Sequence, residues 1–279
     1  MKKIFTLFLA ALCLFCAVPK AQAAPVEEVQ IPVIMYHKVT KNSGLLGKYA
    51  IRPADFESDL KYIKENGYTA VTMTDLISFV HYGVLLPEKP VVLTFDDGNF
   101  SDYNYVFPLL KEYEIPAVIS IIGRVTDEYT AENRQDINYP HLTWFQIQEM
   151  ADSGYVEIQS HSYDLHCERS GVLGARRQRG EDEETYAARL EKDLSKLQDR
   201  SYEMIGFRPN TFTYPFGAYS QGSNLLLASM GFYASLICEE RVNYVTIGDP
   251  ECLYGMGRIL RPYRMSSEEL FNHVEAAID

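Results

Sequence analysis

Val91-Val92-Leu93-Thr94-Phe95-Asp96-Asp97-Gly98 is the segment whose composition decides the architecture. Val91 to Phe95 is the most strand-like run in the chain, apolar and β-branched as a strand covered on both faces must be. It stops on two adjacent carboxylates and a glycine. Successive side chains at a strand end point in different directions, so Asp96 and Asp97 can take separate roles, one on a metal and one on a water. The other reading is a turn in which Asp-Gly merely ends the strand.

On both sides of this segment strands and helices alternate. Upstream, Ile31 to Tyr36 is a short apolar run ending in His37, and Phe56, Leu60 and Ile63 recur at helical spacing between Pro53 and Gly67. A strand is expected over Tyr68 to Met73, with Thr74 capping a second helix over Leu76, Phe79 and Val80. Downstream come a helix near Val106 to Tyr113, a strand from Ala117 to Ile122, and a capping box, Thr143-Trp144-Phe145-Gln146, opening a helix closed by Gly154. Val156 to Ser160 reads as a strand ending in His161, and the polar stretch from Cys167 to Glu184 as a surface excursion. A helix with Tyr186, Leu190, Leu194 and Leu197 on one face follows, then a short strand, Phe212 to Tyr214, before Pro215-Phe216-Gly217.

Such alternation implies parallel strands with outer helices, either a barrel or a doubly wound sheet. His37, Asp96, Asp97, His161 and the Tyr214 to Gly217 segment all follow strand C-termini, where α/β barrels gather their sites. The expected fold is therefore α/β, a distorted (β/α) barrel of about seven parallel strands with outer helices.

Lys2 and Lys3 precede an apolar run from Ile4 to Val18, and Ala21-Gln22-Ala23 supplies a small-x-small cleavage site. Residues 1–23 thus read as a secretory signal peptide, 24–30 as an N-terminal tail and 31–279 as one domain. The apolar run is shorter than the ~20 residues that span a bilayer, and no later stretch is long and uncharged enough. A secreted, extracellular or cell-wall associated monomer is expected. Cys167, Cys238 and Cys252 remain, an odd number without the close spacing of a redox or metal motif, and read as free thiols. The net charge of -12 becomes -15 once Lys2, Lys3 and Lys20 leave with the signal, which argues against nucleic acid or anionic membranes as partners.

His161-Ser162-Tyr163-Asp164-Leu165-His166 sets two histidines five apart. On a helix they would diverge by ~140°, and on a strand they would face opposite sides. A loop curling back at the strand end would bring both imidazoles to one zinc-like ion. Two unrelated surface histidines are the alternative. Paired acids also occur in glycoside hydrolases, but there the carboxylates flank a sugar bond ~5 to 9.5 Å apart, which neighbours in sequence do not span.

Taken together, these residues resemble carbohydrate esterase family four, the polysaccharide deacetylases with the nodulation-protein homology domain. The likeness runs from Ile31 to about Arg264 and is strongest to the branch that opens with Met-Tyr-His, here Met35-Tyr36-His37. The resemblance implies Asp96 as catalytic base and Asp97, His161 and His166 as ligands of one divalent metal, zinc first, with cobalt or nickel as alternatives. It implies Tyr214-Pro215-Phe216-Gly217 as the substrate-binding motif, with the Phe216 N–H donating to the oxyanion, and Trp144 as the aromatic that buttresses the site. The implied partner is an N-acetylated aminosugar polymer, whether exopolysaccharide, peptidoglycan or a chitin-like chain. Two family features are missing. Thr213 stands where the arginine that pairs with the base is expected, leaving Arg208, Arg258 or Arg261 to replace it. Ile259-Leu260-Arg261 stands where the late histidine acid is expected, and the Met-Tyr-His branch implies His37 in that role. A binding module that keeps the fold without catalysis is the competing function. His81 and His141 show no partner pattern and read as structural, and His273 as a surface residue of a terminal helix.

Overall fold

The computed structural model of the protein describes residues 28–132, 141–169 and 172–276. Residues 1–23 and the first part of the 24–30 tail lie outside these, while Glu28–Ile31 forms the first strand, β1. The chain continues through β2 (Val33–Tyr36), β3 (Lys38–Val39), β4 (Ala50–Ile51), α1 (Pro53–Glu65), β5 (Thr69–Ala70), α2 (Met73–Tyr82) and β6 (Pro90–Asp97). Next come α3 (Phe107–Tyr113), β7 (Ala117–Ile121), α4 (Gly123–Glu132), α5 (Trp144–Asp152), β8 (Val156–Ser160) and a small hairpin of β9 (Glu168–Arg169) and β10 (Val172–Leu173). The last third holds α6 (Glu183–Ile205), β11 (Thr211–Thr213), α7 (Ser223–Ser229), β12 (Ala234–Leu236), β13 (Asn243–Thr246), β14 (Ile259–Leu260) and α8 (Ser267–Ala276).

Seven parallel strands form the central sheet in the order β12-β11-β8-β7-β6-β2-β14, with β5 pairing the start of β6. β6 is central because Val91 to Phe95 is wholly excluded from water on both faces, as its unbroken apolar run requires. The sheet curls until its edges nearly meet. Met256 forms a parallel bridge to Leu236 of β12, and the chain then enters β14, which pairs with β2. One segment therefore closes the distorted barrel that the strand–helix alternation predicts. The helices pack outside it; Tyr186, Leu190, Leu194 and Leu197 of α6 are all buried, as their spacing predicts.

Two local expectations need correction. The strand expected over Tyr68 to Met73 shrinks to Thr69–Ala70, because Thr72, not Thr74, opens α2. Thr72 Oγ1 accepts from the Asp75 N–H at 3.2 Å, and Asp75 accepts back from the Thr72 N–H at 2.7 Å, a closed capping box. The box at Thr143 and Gln146 forms as expected.

A buried carboxylate ties the closing segment to the rest. Asp59 of α1 accepts from Arg261 Nε at 2.8 Å and Nη2 at 3.1 Å, from Ser267 Oγ at 2.6 Å and from the Tyr36 hydroxyl at 3.1 Å. Tyr36 in turn stacks on Phe95 at 4.8 Å. Arg261→Ala removes the charge partner of a buried acid, so it is expected to cost about 3–5 kcal/mol, read as a lower urea midpoint. An unchanged midpoint would show that Ser267 and Tyr36 suffice.

Candidate active site

At the C-terminal ends of the strands lies a cavity of about 1070 Å³ whose wall includes His37, Asp96, Asp97, His161, His166 and Phe216. Asp96 points inward from the end of β6 and is 1 % exposed. Arg258, fully buried, donates to it twice, Nη1 to Oδ1 at 2.7 Å and Nη2 to Oδ2 at 2.8 Å, and is itself fixed by donating to the Ile237 carbonyl at 2.9 Å. Of the three arginines open on sequence, Arg258 is thus the one that meets Asp96. Arg261 is engaged with Asp59 and Arg208 with Asp199 at the surface. Thr213, in place of the absent arginine, has its hydroxyl 2.7 Å from that of Ser120 inside the barrel.

Asp97 leaves the strand with φ +77°, which turns its carboxylate away from Asp96 and towards the two histidines. Gly98 follows at φ +62°, and a Cβ there would stand 2.9 Å from Ile121 Cγ2, so the turn admits only glycine without rearrangement. Asp97 Oδ1 lies 3.6 Å from His161 Nε2 and 3.4 Å from His166 Nε2. The loop that the five-residue spacing calls for is present: Ser162 takes φ +84°, and the chain doubles back. Phe216 takes φ +59°, and its ring lies 4.4 Å from that of His166. Three non-glycine residues in a left-handed conformation thus surround one site, each costing of order 1–3 kcal/mol that surrounding structure must offset.

The three side chains fit a metal. Their donor atoms lie within 4.8 Å of one another. Among the described residues, Asp97 Oδ1 is shielded from solvent yet meets no hydrogen-bond donor. His161 Nδ1 lies 2.8 Å from the Thr213 carbonyl, a contact that places its proton on Nδ1 and leaves Nε2 as a lone-pair donor facing Asp97. Burial pushes His161 down to about 3 and lowers His166 as well, so both imidazoles are neutral, as ligands must be.

The two carboxylates are driven apart electrostatically. Burial acts to raise Asp96, but the Arg258 guanidinium more than offsets it and holds the carboxyl well below the usual range. Asp97 has no such partner; burial and the charge of Asp96 push it up to about 6. His37 places Nε2 3.8 Å from Asp96 Oδ2, packs its ring 4.8 Å from that of Tyr49, and has one-fifth of its side chain exposed to the cavity.

Other expected residues support rather than line the cavity. Trp144 is buried and donates from Nε1 to Asp127 at 2.7 Å. Tyr214 is buried with its hydroxyl 2.7 Å from that of Ser223, and Gly217, at φ +65°, packs where a Cβ would lie 2.8 Å from Cys238 Cβ. His141, read as structural, makes a contact of that kind at the edge of the site. It reaches the cavity wall, with Nδ1 3.0 Å from the Asp97 carbonyl, joined there by Arg124 and Tyr49. No local spacing marks these three as cavity residues, since the rest of the wall is supplied by distant parts of the chain. Cys167, Cys238 and Cys252 are free.

Comparison with known proteins agrees with this geometry. The sequence profile of the polysaccharide deacetylase family matches residues 84–235. A poly-beta-1,6-N-acetyl-D-glucosamine N-deacetylase of Escherichia coli (strain K12) is 29% identical over 205 residues, 66% of this chain and 30% of that protein. The chain thus spans under a third of that relative. The Staphylococcus aureus (strain N315) protein of the same description is 24% identical over 251 residues, 86% of this chain and 79% of its own length. Among solved structures, a de-N-acetylase from Aggregatibacter actinomycetemcomitans is similar with a TM-score of 0.73 at 27% identity, covering 88% of this chain and 99% of that one. IcaB from Ammonifex degensii follows with 0.69 at 26% identity, covering 86% and 95%.

The raised Asp97 fixes the sign of a pH effect. A metal needs its carboxylate ionised, and protons compete below about 6, the value to which burial and Asp96 push it. Zinc affinity, titrated against a chromophoric chelator between about pH 7 and pH 5, is expected to fall by roughly tenfold per unit at the acid end. An affinity flat over that range would exclude Asp97 as a ligand.

Proposed function

The chain belongs to the polysaccharide deacetylase family, and from that premise we propose that it is a secreted, metal-dependent hydrolase removing N-acetyl groups from a poly-N-acetylglucosamine chain. One observation carries the reading. Asp97, His161 and His166 converge with an unpartnered carboxylate oxygen between them, beside an ionised Asp96 and a partly exposed His37 in one cavity. The substrate follows from the names of the E. coli and S. aureus relatives, poly-beta-1,6-N-acetyl-D-glucosamine N-deacetylases. Export rests on the composition of residues 1–23, and no helix among the described residues is long and apolar enough to cross a membrane.

A divalent ion, zinc with cobalt or nickel as alternatives, held by Asp97, His161 and His166 would supply a water acidic enough to attack at neutral pH and polarise the acetyl carbonyl. Asp96 receives the proton of that water. Its bidentate pairing with Arg258 keeps it ionised and fixes its direction, so no reorientation is needed as the proton moves. The Phe216 N–H, on a residue turned at φ +59° beside His166, would donate to the oxygen on which negative charge develops. His37 stands 3.8 Å from Asp96, with the exposure to reach the leaving nitrogen and give it a proton. Acetate and a free glucosamine amine result. The competing binding-module reading drew on the missing arginine and the missing late histidine; Arg258 pairs with Asp96 in the arginine's stead, and the acid role proposed for His37 answers the second absence.

Two experiments test this reading. Chelation is expected to abolish acetate release from poly-N-acetylglucosamine and added zinc or cobalt to restore it, while Asp96→Asn keeps the metal but loses about 10² to 10⁴-fold in rate. Full activity in stripped protein, or metal loss in that variant, would contradict the assignment. For His37→Ala, the loss should be large on an N-acetyl substrate and small on an aryl acetate, whose leaving group needs no proton. Equal losses on both would give His37 a positioning role instead.

A further inference from the structure

The two histidine ligands are not held alike. His161 sits at the end of β8 and is anchored through Thr213, whereas His166 hangs on the loop that begins at the strained Ser162. The left-handed turn at Ser162 leaves the next two amide groups, those of Tyr163 and Asp164, pointing the same way out of the loop. Both donate to one side chain, Asp193 of α6: Tyr163 N–H to Oδ1 at 2.8 Å and Asp164 N–H to Oδ2 at 2.9 Å. On the opposite edge, the carbonyls of Ser162 and Tyr163 accept from the first amides of α4, Gly123 at 3.1 Å and Arg124 at 2.9 Å. Gly123 has no room for a Cβ, which would come 2.7 Å from Tyr163 Cδ2, so the loop is gripped between two helices at close range.

The geometry points to Asp193 as a positioning residue of the metal centre, the group that keeps the loop doubled back and so keeps His166 aimed at Asp97. This rests on the metal reading above. Three features favour it over a purely packing role. A carboxylate is the only side chain with two acceptor oxygens and no donor to offend the paired amides, and such charge-assisted bonds are roughly twice as strong as neutral ones. α6 is a rigid base, with Leu190, Leu194 and Leu197 buried along its inner face. Behind the loop lies a cavity of about 350 Å³, lined by Tyr163, Leu165 and Asp193 among others, into which the loop could relax once released. The α4 amides hold one edge of the turn and Asp193 the other, so without Asp193 the cost at Ser162 is opposed from one side only and the aim of His166 loosens.

Asp193→Asn is nearly isosteric, retains one acceptor and turns an N–H₂ towards the second amide. After chelator stripping and zinc titration against a chromophoric competitor, it is expected to bind zinc about 10- to 100-fold more weakly than wild type. Amide hydrogen exchange should rise in the 161–167 loop and stay unchanged in α6. Asp193→Glu, which keeps the charge but shifts it by a methylene, should recover part of the affinity and serves as the second variant if the first does not fold. Wild-type affinity in both variants would overturn the inference and leave the metal reading standing. Exchange rising equally through α6 would also overturn it, since Asp193 would then be stabilising the helix. Wild-type protein that takes up no zinc would remove the metal reading and this inference together.

Discussion

A carboxylate that must stay ionised in a water-poor barrel mouth is the constraint on which the rest of the site depends. Left alone, Asp96 would take up a proton, because burial disfavours the charged form. Arg258 prevents this with two parallel hydrogen bonds, and it does so from full burial, so neither charge can be screened or replaced by water. With one acid committed, its neighbour is free to differ. Asp97 carries the repulsion of Asp96 without a cation of its own, which makes it the group that gains most from a divalent ion. Two adjacent residues of one type thus acquire opposite chemical characters from their surroundings alone.

The backbone does the corresponding work for direction. A strand end delivers side chains to alternate faces, which would send Asp97 away from the histidines. Left-handed turns at Asp97, Ser162 and Phe216 bend three strand exits towards a common point. The barrel makes this tolerable, because each turn follows a strand whose backbone is locked on both sides by parallel neighbours. The cost of the turns is borne by the sheet, and the return is a set of groups that need not move when substrate arrives.

How much of this could be read from the sequence follows the range of each interaction. The barrel was legible because strand and helix periodicity is local, and because Asp96, Asp97, His161 and Phe216 each sit at or just past a strand end. The loop that unites His161 with His166 was legible as a requirement, since a spacing of five fits no regular element. Arg258 could be named only as one of three arginines, because its partner is 162 positions away and nothing near Gly257-Arg258-Ile259 marks it. The contact of His141 with the Asp97 carbonyl was hidden for the same reason, since it spans 44 positions. Thr72 displaced Thr74 as a helix cap for a smaller reason: two threonines lie within reach of α2, and only Thr72 has an acid three residues on to close the box.

The closing of the barrel by the segment from Met256 to Leu260 also imposes an order on how the molecule comes to life. The cation that tunes Asp96 arrives on the last strand of the ring, after more than nine-tenths of the chain has been made. Contacts of such long sequence separation form late, since the loop entropy they cost is recovered only when the intervening strands are already in place. Until then Asp96 has no guanidinium to keep it ionised once water is excluded, and Asp97 is brought to His161 and His166, far along the chain, only by the pairing of β6, β7 and β8. Ring closure is therefore the event that completes the buried charge pair, and a chain stalled or clipped before Arg258 would be a nearly complete barrel whose Asp96 lacks its cation.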